Sequence, residues 1–206
     1  KRYYLQLFQL LQTSKDSNEK EHKEDWSHIQ QAIEGKEISV SYTDRYLMTP
    51  LGCMLLVRFL QCLKDEWGCR IKDVEVHLSK KIDYKDETYA VNEPFEYFED
   101  RDNFLAEALT QCCGVDNAKI QSGQYIAHER DLKISTGTHS LCLRPDAGIS
   151  QGWIPNYNDK DGQKQYLNYR FSFEDNWNED FYLYNKNKQG QGLLYTILFG
   201  QEKKDK

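Results

Sequence analysis

Between Ile126 and Asp146 the chain reads IAHERDLKISTGTHSLCLRPD, a stretch that alternates with the period of a β-strand yet sets a histidine and an arginine on its apolar side. Every second residue from Ile126 gives Ile126, His128, Arg130, Leu132 and Ile134, while Ala127, Glu129, Asp131 and Lys133 form the solvent side. A guanidinium turned toward a core keeps its charge and must find a carboxylate, a phosphate or several carbonyls. His128 and Arg130 therefore mark either an internal ion pair or an anion site. The strand turns near Thr136-Gly137 and returns through Arg144. A three-residue loop (136–138) would set Arg144 across the ladder from Arg130, where two like charges need an anion between them. A two-residue loop would flip Arg144 to the other face.

The rest of the chain supplies the partners for this hairpin. Residues 1–13 carry Tyr4, Leu5, Phe8 and Leu11 along a helical stripe, and Asp25 to Glu34 reads as a second helix with Trp26, Ile29, Ala32 and Ile33, stopped by Gly35. From Glu37 the segment EISVSYTDRYLM alternates and is rich in β-branched and aromatic residues, as strands are. Thr49-Pro50 combines an N-cap with a proline at the first helical position, opening a mostly apolar helix from Pro50 to Trp67 that Gly68 closes. The strand IKDVEVHLSK follows, with His77 expected as a hydrogen-bonded core histidine. Then come an acidic, aromatic loop over 82–100, a helix from Arg101 to Cys113 ended by Gly114, and the hairpin. Aromatic strands are expected around 166–173 and 180–184, and the apolar run GLLYTILFG precedes a charged tail at 201–206. Alternating strands and helices predict an α/β sheet with buried central strands over 37–200, preceded by a helical appendage at 1–36.

Composition narrows the function. A chain of 206 residues with 39% apolar residues and a net charge of −6 folds as a globular domain, and the negative balance argues against a duplex-DNA reader, whose footprint is a basic face, while leaving room for a local basic pocket. Its six cysteines show no C-x-x-C pair, so neither a metal nor any other cofactor is expected, and their apolar settings point to a cytoplasmic protein. No apolar run approaches the ~20 residues of a membrane span. The chain opens Lys-Arg-Tyr-Tyr without a methionine, as a piece of a longer protein would.

Several short motifs recur in a known order. Asp44 and Tyr46 in TDRYLM, Arg58-Phe59 in the apolar helix, Val76-His77-Leu78-Ser79, then His128-Glu129-Arg130-Asp131-Leu132, Gly137, Arg144 and Asp146 follow one another. Over about residues 37–190 this pattern resembles the C-terminal, phospholipase-D-like domain of MIT-domain proteins that bind ESCRT-III subunits during cytokinesis. Pro145 replaces a glycine of that pattern, Asp146 comes one residue early, and no MIT domain accompanies it. The resemblance implies a phospholipase-D-like mixed sheet flanked by helices, a homodimer or subunit of a larger assembly, and an anionic ligand such as a phosphate, a head group or a nucleic-acid backbone.

Chemistry separates binding from hydrolysis. Phospholipase D enzymes use H-x-K-x-x-x-x-D twice, one histidine attacking phosphorus and the other protonating the leaving group. Here His128-Glu129-Arg130 gives H-x-R, Ser135 stands where the aspartate belongs, and His22, His28, His77 and His139 provide no second motif. The expectation is a non-catalytic module whose pocket holds an anion through His128, Arg130, Arg144 and Arg58, with Asp146 beside them. The alternatives are a phosphodiesterase or nuclease acting through His128 across a dimer, and an interaction subunit in which Arg130 pairs internally with Asp44, Asp146 or Glu129.

Overall fold

Residues 37–44 (EISVSYTD) alternate polar and apolar side chains and form a strand whose second, fourth, sixth and eighth side chains, Ile38, Val40, Tyr42 and Asp44, are buried. The computed structural model describes residues 13–15, 21–23, 27–81, 94–126, 130–145, 153–155, 159–160, 163–164, 181–183 and 195–202. Three segments precede or accompany that strand. Thr13–Lys15 (β1) and Glu21–Lys23 (β2) pair antiparallel, and Ser27–Ile33 is a helix (α1). Strand Glu37–Asp44 is β3. Helix α2 (Pro50–Asp65) leads to strand β4 (Arg70–Ser79), and helix α3 (Phe98–Ala108) runs into a π-helical turn at Leu109–Cys113 before β5 (Asn117–Gly123). The hairpin strands are β6 (Asp131–Ser135) and β7 (His139–Pro145). Short strands β8 (Trp153–Pro155), β9 (Asp159–Lys160), β10 (Gln163–Lys164) and β11 (Phe181–Leu183) form two small ladders, and β12 (Tyr195–Gln201) closes the main sheet.

The main sheet is mixed, in the order β12-β7-β6-β3-β4-β5. Strands β3, β4 and β5 are parallel, joined by crossovers through α2 and α3, while β6, β7 and β12 are antiparallel neighbours. The chain is thus α/β. One face of the sheet is apolar, with Ile38, Val40, Tyr42, Val74, Val76, Leu78, Leu132, Ile134, Leu141 and Leu143 in a single core with α2 and α3. The other face is polar: Ser39, Asp73, Glu75, His77, Lys133 and Cys142 are half-buried or exposed. His77 therefore lies on the polar face, with Nε2 3.8 Å from Glu75, not in the core where a histidine between Val76 and Leu78 was expected. Period-two alternation puts the flanking residues, not the histidine, inward.

Helix α2 forms where its signals predict. Thr49 accepts the Gly52 N–H at 3.1 Å and Pro50 opens the first turn. Cys53, Met54, Leu55, Leu56, Val57, Phe59, Leu60, Cys62 and Leu63 are all buried. Helix α1 adds Ile29 and Ile33 to the same core, and His28 meets Phe199 of β12 edge-on at 5.5 Å. Helix α3 starts at Phe98, three residues before the expected Arg101, inside the stretch expected as loop. The helix expected over 1–13 (but for Thr13), Trp26, most of the acidic loop, His128, Asp146 and the strand at 166–173 lie outside the described residues.

Packing also sets thiol chemistry. Burial pushes the Cys53, Cys62 and Cys113 thiols up to about 12 and Cys69 to about 11, whereas Cys112 and Cys142 are only half-buried. Iodoacetamide at pH 8 is expected to alkylate Cys112 and Cys142 in the native protein and to reach the other four only after denaturant unfolds it, as read by mass spectrometry of the tryptic peptides. Early labelling of Cys53 would contradict this core.

Candidate functional site

One buried arginine ties together the carboxyl ends of β3, β4 and β5. Arg101, on the inward stripe of α3 with Leu105 and Ala108, is 0% exposed. Its five N–H groups all find acceptors. Nη1 donates to the carbonyls of Leu47 at 3.2 Å and Ser79 at 2.9 Å. Nη2 donates to Ser122 Oγ at 2.7 Å and Asp102 Oδ1 at 2.8 Å, and Nε donates to Asp102 Oδ1 at 2.9 Å. Ser122 in turn donates to Asp102 Oδ2 at 2.6 Å. One side chain thus ties the start of α3 to the loop after β3 and to the ends of β4 and β5. Sequence reasoning missed it, although the signal was there: Arg101, Leu105 and Ala108 share the i, i+4, i+7 stripe of a buried helix face.

Arg130 precedes β6 and lies against β3. Its Nε stands 3.5 Å from Asp44 Oδ1, its guanidinium covers the Tyr46 ring at 4.7 Å, and its side chain is 11% exposed. Asp44 also accepts the Tyr42 hydroxyl at 2.7 Å and the Tyr46 N–H at 2.7 Å. Burial holds the Asp44 carboxyl above its ordinary value against these bonds, and burial together with the Asp44 charge raises the Tyr42 phenol well above its own.

The hairpin decides where Arg144 goes. Thr136 N donates to the His139 carbonyl, leaving a two-residue turn of Gly137 and Thr138 with Gly137 at φ 78°. Leu132 then pairs with Leu143, which sets Arg144 beside Asp131 on the face away from Arg130. Arg144 grips both carboxylate oxygens of Asp131, at 2.7 and 2.9 Å. Those bonds hold the Asp131 carboxyl below its ordinary value. Arg58 is elsewhere again. It donates to Gln61 Oε1 at 2.8 Å, and Gln61 reaches the Cys112 carbonyl at 3.3 Å, so it belongs to the packing of α2 against the π-helical turn. Arg58, Arg130 and Arg144 thus meet three different partners, Gln61, Asp44 and Asp131.

A different cleft opens at the same edge. Arg45 after β3, Lys80 and Lys81 after β4, and Gln124, Tyr125 and Ile126 after β5 line a space of about 470 Å³. Lys80 N donates to the Gly123 carbonyl at 2.9 Å and Lys81 N to Ser79 Oγ at 3.0 Å, bonds that fix the floor of the cleft next to the atoms held by Arg101. None of its described lining residues was a candidate in the sequence, because only the parallel crossovers bring three separate loops together.

Replacing Arg101 by methionine is expected to destabilise the domain by about 3–5 kcal/mol, because Asp102 loses its charge partner and two buried carbonyls lose their donors. Lysine should not rescue it, since three donors on a point charge cannot make the five directed bonds of the guanidinium. Urea unfolding of both variants checks this, and a loss under about 1 kcal/mol in the methionine variant would refute the clamp. Asp131→Asn tests the second pair. With the folded carboxyl lowered, the pair's stability is complete above the ordinary carboxylate range and is lost as pH falls through the folded value. The difference between wild type and Asp131→Asn should therefore be about 1 kcal/mol at pH 7, screened by the half-exposed Arg144, and should vanish toward pH 2.

Comparison with known proteins corrects the phospholipase-D-like resemblance. Residues 8–187 match the family model described as the DEAD/DEAH box helicase YjiV, C-terminal domain. No curated protein matches the chain. The ordered motifs behind the phospholipase-D-like resemblance are short, and an arginine beside a strand end recurs wherever an α/β sheet pairs charges at its edge. The expected phospholipase-D-like anion-binding and dimerising module falls with that resemblance. Among the described residues no helix is long and apolar enough to cross a membrane. The match spans most of the chain, from the N-terminal segment through the hairpin and beyond, and on it the chain belongs to the family of DEAD/DEAH box helicase YjiV C-terminal domains.

Proposed function

We propose that this chain is a non-motor domain of a DEAD/DEAH box helicase, acting beside the motor on its nucleic-acid substrate. The observation that carries the reading is the family match over residues 8–187. The sequence supports the division of labour: it contains no Gly-x-x-x-x-Gly-Lys-Ser/Thr loop to cradle nucleotide phosphates and no Asp-Glu-Ala-Asp or Asp-Glu-Ala-His tetrapeptide. In this reading Arg130 and Arg144 fasten the sheet through Asp44 and Asp131, and Arg58 fastens α2 to the π-helical turn. The segment up to residue 36 works as part of the domain, a view supported by the packing of Ile29 and Ile33 in the common core.

The test needs both the isolated chain and a helicase of this family. The chain alone should hydrolyse no ATP, with or without oligonucleotide. A motor from which this domain has been deleted should keep its basal ATP hydrolysis and lose roughly tenfold or more in apparent affinity for the nucleic acid that stimulates it. Unchanged affinity and unwinding in the deleted form would sink the proposal.

A further inference from the structure

We infer that the cleft at the carboxyl edge of β3, β4 and β5 is a binding site for single-stranded nucleic acid, taking phosphodiesters on Arg45, Lys80 and Lys81 and a base on Tyr125. The inference rests on the helicase reading and names the surface that would serve it.

Charge is the first argument. The chain carries a net charge of −6, yet the described residues lining this cleft include three cations and no carboxylate. Several cations elsewhere on the surface face carboxylates. Arg70 bridges Glu37 and Asp116, Lys119 faces Glu75, and Lys133 faces Asp131. Among the described residues Arg45 and Lys80 meet aromatic rings, at 5.8 Å over Tyr46 and 5.1 Å over Phe98. A local reversal of sign in an acidic protein concentrates the field where a polyanion would lie.

Position is the second argument. In open α/β sheets, ligands bind in the crevice outside the carboxyl ends of the strands. This cleft lies there, and its volume of about 470 Å³ falls within the range of ordinary ligand sites.

Its aromatic component is the third. Tyr125 is 96% exposed, beside the amide of Gln124, on a loop whose base is fixed by Arg101 through Ser122. An exposed ring next to a row of cations is the pairing that holds single strands, where every base offers a face to stack and the backbone tracks the charge. A duplex keeps its bases stacked on each other and would leave Tyr125 unused.

Fluorescence anisotropy of the whole chain with labelled oligo(dT) and oligo(rU), across a salt series, tests this directly. The wild type should bind both, with the logarithm of the association constant falling linearly with the logarithm of salt. Arg45→Ala with Lys80→Gln should weaken binding and reduce that slope by about 0.7 for each phosphate that is no longer neutralised. Tyr125→Ala should weaken binding roughly tenfold while leaving the slope alone. Lys119→Ala, whose ammonium already faces Glu75, should change nothing. Circular dichroism and melting confirm that each variant is folded. Wild-type affinity and slope in the double variant would overturn the cleft while leaving the helicase reading intact. Absence of binding at low salt, or a clear preference for duplex, would overturn it as well, and the deletion experiment above judges the helicase reading separately.

Discussion

The loop after β3, the ends of β4 and β5 and the start of α3 are held together by the Arg101 guanidinium. A buried charge of this kind is tolerated only when each donor is satisfied, and here the five N–H groups end on two carbonyls, one hydroxyl and one carboxylate. The acceptors come from four places in the chain: the loop after β3, the end of β4, the end of β5 and α3 itself. Parallel strands have no hairpin turns to hold their ends in register, because each is connected through a helix on the sheet face. A planar fork with fixed donor directions can align three such ends at once. The cleft walls leave the sheet immediately after those atoms, so the fold and the surface share one set of bonds.

The charged residues divide by what surrounds them. Arg130 meets Asp44 at the end of β3, Arg144 meets Asp131 on β6, and Arg58 meets a side-chain amide in the helix layer. Arg45, Lys80 and Lys81 follow β3 and β4 at the same edge and line the cleft.

Much of the architecture was legible in the sequence. The alternation of β3, β4 and β6 and the Thr49-Pro50 start of α2 depend on neighbours within a few residues, and so does the turn at Gly137. The structure bears those elements out. The candidate site was less legible. Arg130 stood out because it broke an apolar pattern, but its partner Asp44 lies on another strand. The phospholipase-D-like resemblance joined short motifs in sequence order, and the family match over residues 8–187 overturns it.

What the sequence by itself determined is the set of amphipathic elements: which stretches are strands or helices, and which side chains face a core. Local periodicity and capping depend only on backbone geometry and nearby side chains. The tertiary structure alone decided which charge meets which. A hairpin turn of two residues instead of three moved Arg144 from the face of Arg130 to Asp131, because a one-residue change of register exchanges the two faces of a strand. The burial of Arg101 and the meeting of Arg45, Lys80 and Tyr125 likewise required parallel strands, distant in sequence, to end side by side.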